Sequence, residues 1–232
     1  MHNAREQARG IERAVQIPIG QEILHGDLAL PVSAIGIVVF AHGSGSGRHS
    51  PRNRFVAQVL QQAGLATLLM DLLTSAEEAF DAQTAALRFD IELLARRLME
   101  ATDWMVVQSE TSHLPIGYFG ASTGAAAALV AAAELPDLIE AVVSRGGRPD
   151  LAGDALRQVV APTLLIVGSR DPVLLELNRK ALAELPGQKN LEIVPGATHL
   201  FEEPGALEAV AQLARSWFSL YLGRANERRQ AA

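Results

Sequence analysis

Ile116-Gly117-Tyr118-Phe119-Gly120-Ala121-Ser122-Thr123-Gly124-Ala125-Ala126-Ala127-Ala128 reads as a short apolar strand that turns directly into an alanine-rich helix. Ile116 to Gly120 carries the β-rich content, and the helical pattern runs from Ala125 to Glu134. Between them, Gly120 to Gly124 matches G-x-S-x-G in the context its chemistry requires, a sharp strand-to-helix turn that pushes a serine hydroxyl outward. The flanking residues must be small because neighbouring backbone passes close by. The competing reading is an alanine- and glycine-rich packing contact with an incidental serine, and the strand–turn–helix context weighs against it.

Outward from this point the same alternation recurs. Ile35 to Ala41 is a buried strand, followed by a helix from Arg54 to Ala63. Leu65 to Asp71 is the next strand, and Ser75 with Glu78 reads as a capping box opening a helix. Ile91, Leu94, Ala95 and Leu98 mark one face of another helix. After the serine come strands at Ile139–Ser144 and Thr163–Gly168, a helix near Val173–Leu185, a strand at Leu191–Pro195 and a closing helix at about Leu207–Leu222. Strands that are apolar on both faces and separated by helices imply a parallel sheet covered on both sides. Ala14–Ile19 and Gln21–Leu30 read as an antiparallel pair at one edge. The expected fold is α/β: an open, mostly parallel sheet of about eight strands with right-handed crossovers. One domain over residues 13–224 is expected, with polar, fraying tails at 1–12 and 225–232.

Composition narrows the function. The chain has 232 residues with 20 Lys and Arg against 26 Asp and Glu, a formal charge of −6, and 49% of its residues are apolar. A sizeable core is affordable, and the acidic balance argues against nucleic acid or anionic lipid as partner. Cysteine is absent, which removes disulfides, thiolate nucleophiles and thiolate-ligated metals. Residues 1–15 lack the apolar run of a signal peptide, so a cytoplasmic protein is expected. Thr111 to Ala133 has no charged residue, yet Pro115, Gly117, Gly120 and Gly124 interrupt it and no spanning helix is expected.

A serine nucleophile needs a base. Of the six histidines, His2 lies in the tail, His25 in the edge hairpin and His113 at the wrong end of the serine's strand, while His42 is read as structural within its loop. His199, in Pro195-Gly196-Ala197-Thr198-His199, follows the last strand at the sheet's carboxyl edge, where open α/β sheets place ligands. The acid is best placed at Asp171 in Gly168-Ser169-Arg170-Asp171-Pro172. Asp before Pro is equally a good helix N-cap, so both roles stay open, with Asp71 and Asp150 in reserve. The chain order Ser122, Asp171, His199 is that of the α/β-hydrolases. The glycine-rich Ala41–Gly47 loop supplies the second oxyanion donor, which assigns the hole to the N–H groups of Ser44 and Thr123. A phosphate cradle is the rival reading of that loop, but Arg48 stands at the third glycine position and no G-K-[ST] follows.

On these residues the chain resembles the dienelactone hydrolase-like group of α/β-hydrolases from about Val15 to Leu222. The matching pieces are AHGSGSGRHSPRN, GASTG, VVSRGGRPDLAG, LLIVGSRDPV and PGATHLFEEPG. The resemblance implies the hydrolase fold and a Ser122, Asp171, His199 triad. Dienelactone hydrolase itself uses a cysteine nucleophile where this chain has Ser122, and an oxyanion-loop glutamate where it has Gly43. Lactone specificity therefore does not carry over.

The expected activity is serine hydrolysis of carboxylic esters or lactones of small molecules, with no cofactor and no metal; no H-E-x-x-H spacing occurs. Alternatives on the same triad are an acyltransferase or a C–C hydrolase, and a binding protein that merely kept the fold is a third. The expected partner is the small-molecule substrate, not nucleic acid and not a membrane. Arg48 and Arg145 are candidate substrate-binding residues on loops that open toward the site, Arg145 first, favouring anionic esters. No large cap domain is present, and Thr74 to Arg88 either leans over the pocket as a small lid or packs beside the sheet.

Overall fold

The computed structural model describes residues 10–231. Strands β1 (Ile11–Ile19) and β2 (Glu22–Leu30) form the edge hairpin, turning at Gly20 with φ 62°. Six more strands follow: β3 (Ile37–Ala41), β4 (Ala66–Met70), β5 (Ile116–Ala121), β6 (Ile139–Arg145), β7 (Thr163–Gly168) and β8 (Lys189–Val194). The helices between and after them are α1 (Pro51–Gln62), α2 (Ser75–Thr84), α3 (Ile91–Val107), α4 (Thr123–Glu134), α5 (Pro172–Glu184) and α6 (Ala206–Ala231). The sheet order is β1-β2-β4-β3-β5-β6-β7-β8, and every pairing from β4 to β8 is parallel. The expected eight-stranded, mostly parallel α/β sheet is thus what the chain forms, and it has the α/β-hydrolase architecture.

Alternation along each strand sorts the core into two layers. Val39, Leu68, Ile116, Tyr118 and Val142 face α3 and α4, whereas Val38, Phe40, Phe119, Val143 and Ile166 face α1 and α6. Because both faces are covered, the central strands are mostly apolar on both sides, as a parallel sheet requires, with Thr67, Ser144 and Arg145 among the few buried polar residues in them. The one large polar group in the first layer, the Tyr118 hydroxyl, is satisfied by Thr102 Oγ1 at 2.6 Å. Burial pushes that phenol upward, so it stays protonated.

Several boundaries differ from the sequence reading for local reasons. Helix α1 begins at Pro51, three residues early, because Ser50 caps it through the Asn53 N–H and proline suits the first helical position. The capping box that opens α2 is Thr74 with Glu77, not Ser75 with Glu78. Both pairs fit the four-residue pattern, and the chain uses the one that leaves Ser75 helical. A 3₁₀ segment at Pro149–Gln158, kinked at Gly153, was invisible to a search for 3.6-residue periodicity. The expected C-terminal tail at 225–232 instead continues α6 to Ala231, with Ala225 buried and Arg228 paired to Glu140 at 2.9 Å. Of the expected N-terminal tail at 1–12, residues 1–9 lie outside the described residues, while Ile11 and Glu12 belong to β1. Among the described residues, no helix is long and apolar enough to cross a membrane.

Topology decides where a site can form. From β3 the chain crosses to β4 on one side, and from β5 it crosses to β6 on the other. The crevice between the loops after β3 and β5 is the switch point at which such sheets bind ligands.

Candidate active site

Ser122 stands at the end of β5 with φ 51° and ψ −120°, a backbone geometry that costs a non-glycine residue about 1–3 kcal/mol. Three backbone hydrogen bonds enforce it. The Ser122 N–H donates to the Arg145 carbonyl at 3.3 Å, and the Ser122 carbonyl accepts the N–H groups of Ala125 and Arg148, each at 3.1 Å. The two motif glycines are there for clearance. A methyl group at Gly120 would meet Ala125 Cα at 2.4 Å, and one at Gly124 would meet the Ala41 carbonyl oxygen at 2.3 Å.

Asp171 and His199 come from the loops after β7 and β8. These loops are stitched together: the Arg170 N–H donates to the Ala197 carbonyl at 2.9 Å and the Gly196 N–H to Ser169 Oγ at 2.8 Å. Gly168 permits that approach, since a methyl there would lie 2.3 Å from the Ala197 oxygen. Asp171 Oδ2 then lies 3.4 Å from His199 Nδ1, which has no hydrogen-bond partner among the described residues. The carboxylate faces the ring without yet bonding it, a separation that a small movement of the loop would close. His199 and Ser122 flank the same turn: Ser122 bonds to Arg145, and a methyl at Gly146 would lie 3.4 Å from His199 Nδ1. Phe201, fully buried and in the left-handed region at φ 56°, pins the histidine loop to the core. The reserve acids are engaged elsewhere, Asp71 by Arg48 and Asp150 by Arg148 at 2.7 Å.

The loop after β3 packs against the serine; a methyl at Gly43 would lie 3.1 Å from Ser122 Cβ. His42 is structural, as its position implied. Its Nε2 accepts the Leu72 N–H at 3.1 Å and its Nδ1 meets the Gly43 carbonyl at 3.0 Å, which selects the neutral Nδ1–H tautomer. Burial pushes the His42 pKa below its ordinary value, against opposing pulls from Gly43 and Asp71. The two oxyanion candidates meet each other, since the Ser44 N–H donates to Thr123 Oγ1 at 3.1 Å. Helix α4 begins at Thr123 without a side-chain cap, so its first N–H groups are left for a negative group at the serine. The sequence reading gives no role to the Thr123 hydroxyl or to Phe201; both act through contacts between loops far apart in the chain.

A cavity of about 720 Å³ opens beside this site, lined by the loop from His42 to Arg52, by Thr123, and by Glu78, Asp81 and Ala82 of α2. Helix α2 therefore forms one wall of the cavity. Arg48, a candidate substrate binder, is spent internally. Its N–H donates to Asp71 Oδ1 at 2.8 Å, and its guanidinium pairs with Asp71 Oδ2 and lies 3.8 Å from Asp27. Asp27 within β2 and Asp71 just after β4 thus pair its charge, while the side chain still borders the cavity. Arg145 is different: it is 7% exposed, and its Nε and Nη1 have no partner among the described residues. Burial, reinforced by the nearby Arg52 charge, pushes its pKa down to about 10.

Comparison with known proteins agrees with the fold. The chain is 62% identical over 207 residues to proteins from two strains of Mycobacterium tuberculosis, each named a "putative phosphoribosyl transferase". The match takes in 89% of this chain but 46% of each relative, so the chain spans about half their length. The crystal structure of a dienelactone hydrolase from Anabaena variabilis is also 62% identical, with a TM-score of 0.90 over 92% of this chain and 99% of that one. Est1E from Butyrivibrio proteoclasticus shares the fold at 17% identity and a TM-score of 0.74, over 90% of this chain and 98% of its own. The model of the dienelactone hydrolase family matches residues 24–221, nearly the whole folded unit, and the chain belongs to that family.

Proposed function

We propose that the protein is a serine hydrolase that cleaves carboxylic ester or lactone bonds of small molecules through an acyl-enzyme. The observation that carries this reading is the pairing of a strained, outward-turned Ser122 with an Asp171 carboxylate facing His199 across 3.4 Å. Family membership and the similarity to the Anabaena dienelactone hydrolase support hydrolysis as the reaction class.

In the proposed reaction Ser122 Oγ attacks the substrate carbonyl while His199 Nε2 takes its proton. Asp171 orients the ring through Nδ1–H and stabilises the imidazolium that forms. The Thr123 N–H receives the tetrahedral oxyanion, joined by the Ser44 N–H when it exchanges its Thr123 Oγ1 acceptor for that oxygen, and a donor of this kind contributes roughly 3 kcal/mol in comparable sites. The carbonyl reforms as the C–O bond to the leaving alcohol breaks, and His199 returns the proton to that alcohol. Water repeats the sequence on the acyl-enzyme and releases the acid and free Ser122.

A panel of short-chain 4-nitrophenyl esters and lactones, run with wild type and Ser122→Ala, tests the reading. Hydrolysis by the wild type, loss of turnover in Ser122→Ala with an unchanged circular dichroism spectrum, and fluorophosphonate labelling only of the wild type are expected. Full activity in Ser122→Ala would overturn the proposal.

A further inference from the structure

Helix α5 carries Asp171 at its amino end, and one side chain ties that helix to the turn that holds the nucleophile. Asn178 lies in the second turn of α5 and is fully buried. Its Nδ2 donates to the Leu174 carbonyl at 2.8 Å and to the Gly147 carbonyl at 3.1 Å. Both partners only accept, so the NH₂ of the side chain must face them, and its Oδ1 is left buried without a partner among the described residues. Packing alone does not favour asparagine here. It is a weak helix former, and its orphaned oxygen carries a desolvation cost that a leucine of the same branched shape would not.

What the residue supplies is the bond to Gly147, which crosses from α5 to the loop after β6. Among the described residues no other donor reaches that carbonyl. The turn it holds is itself wedged in place. A methyl at Gly147 would lie 2.0 Å from Ser144 Oγ and 2.6 Å from Ala125 Cβ, so the backbone is pressed against β6 and the start of α4. The next N–H, that of Arg148, donates to the Ser122 carbonyl at 3.1 Å. Followed in order, these contacts run from the acid to the nucleophile without passing through the imidazole. Asp171 Oδ1 accepts the Leu174 N–H at 3.2 Å, Asn178 spans the Leu174 and Gly147 carbonyls, and the Arg148 N–H closes on Ser122. The stitching of the loops after β7 and β8 holds Asp171 beside His199. Asn178 holds that pair against the serine turn.

We infer that Asn178 is a positioning residue: it fixes the start of α5, which carries Asp171, against the turn that carries Ser122, so that the acid–histidine pair and the nucleophile keep one spacing through the reaction. The inference rests on the hydrolase reading for its effect on rate, but not for the clamp itself. Misplacing reacting groups by about 1 Å costs up to roughly a hundredfold in rate, which is the scale of effect open to a side chain that touches no substrate.

Two variants and two measurements test the clamp and keep it distinct from the hydrolase reading. Asn178→Leu keeps the branched shape and removes both donors. Asn178→Ser still bonds the carbonyl four residues back but is too short to reach Gly147, and it replaces the leucine variant if that one does not fold. Native-state hydrogen exchange needs no turnover. The Arg148 amide should exchange about tenfold faster or more in either variant than in wild type, after correction for any change at Val143 within β6. Equal protection of Arg148 overturns the inference. In hydrolysis of 4-nitrophenyl acetate well below the melting temperature, kcat should fall about tenfold or more while KM stays within about twofold. Met105→Ala, which opens a cavity in the buried core at the amino end of the sheet, supplies the comparison: a lower melting temperature with kcat unchanged. If the Asn178 variants behave like Met105→Ala, less stable but fully active, the asparagine is structural only and the inference falls. If wild type cleaves no ester, the hydrolase reading fails, and the exchange rates alone decide whether Asn178 holds the turn.

Discussion

The carboxylate of Asp171 divides its two oxygens between His199 and the backbone: Oδ2 faces His199 Nδ1 at 3.4 Å, while Oδ1 accepts the Leu174 N–H at 3.2 Å and caps α5. Helix capping and imidazole orientation, rival explanations of an Asp-Pro pair in the sequence, are therefore compatible on one side chain. Asp171→Asn separates them. Asparagine caps a helix as well as aspartate does, so the melting temperature should stay close to that of wild type. It cannot stabilise an imidazolium, and kcat should drop by roughly 10³–10⁴-fold. Asp171→Ala should lose the same activity and, in addition, about 1 kcal/mol of stability measured by denaturant unfolding. Retention of activity in Asp171→Asn would leave the carboxylate with the cap alone.

Strain at Ser122 makes a second, separable prediction. Its φ of 51° is one that glycine adopts freely and alanine does not. Ser122→Gly and Ser122→Ala should both be inactive, but Ser122→Gly should be the more stable, by about 1 kcal/mol after allowing for the greater flexibility of glycine in the unfolded chain. Urea denaturation of the two variants checks the order, and equal midpoints would mean that the elbow is relaxed.

Much of this site could be read from the sequence because each member of the proposed triad sits beside a local signal. Ser122 is framed by glycines, Asp171 precedes a proline at a helix start, and His199 ends a glycine-containing loop after a strand. Strand alternation and the chain order then put all three at one rim. What could not be read were contacts between loops remote in sequence. The neutralisation of Arg48 depends on Asp27 and Asp71 arriving from β2 and β4, and nothing near Arg48 announces either. The same holds for Phe201 beneath Arg145. The capping box failed by one residue because Thr74/Glu77 and Ser75/Glu78 are overlapping copies of one pattern, and only the tertiary path of the chain chooses between them.

The Thr123 hydroxyl accepts the Ser44 N–H at 3.1 Å and so fixes the loop that carries the proposed second oxyanion donor, a donor it must yield to the oxyanion. Thr123→Val removes the acceptor at nearly constant volume and frees that loop. The expected result is a fall in kcat of roughly five- to tenfold, the worth of one neutral hydrogen bond, with a smaller change in KM. Thr123→Ser restores the acceptor and should recover most of the loss. A KM effect without a kcat effect would place the hydroxyl in ground-state binding rather than in positioning the donor.

His42 ties the oxyanion loop to the segment after β4 only while its ring is neutral, since Nε2 must accept the Leu72 N–H. Burial sets its folded-state pKa below the unfolded value of 6.5. The sign follows from linkage: the neutral ring's contribution is complete above that value and is lost as pH falls toward and through the lower folded one. Protonation would turn an acceptor into a second donor facing the Leu72 N–H at a largely buried position. Stability of the wild type should therefore decline as pH drops from about 7 to about 5, beyond the loss due to surface carboxylates. His42→Gln places a non-titrating acceptor near the Nε2 position, and its stability should vary less over the same interval. The comparison is made by thermal unfolding at matched ionic strength, and parallel pH profiles for the two proteins would remove His42 as the source of the acid sensitivity.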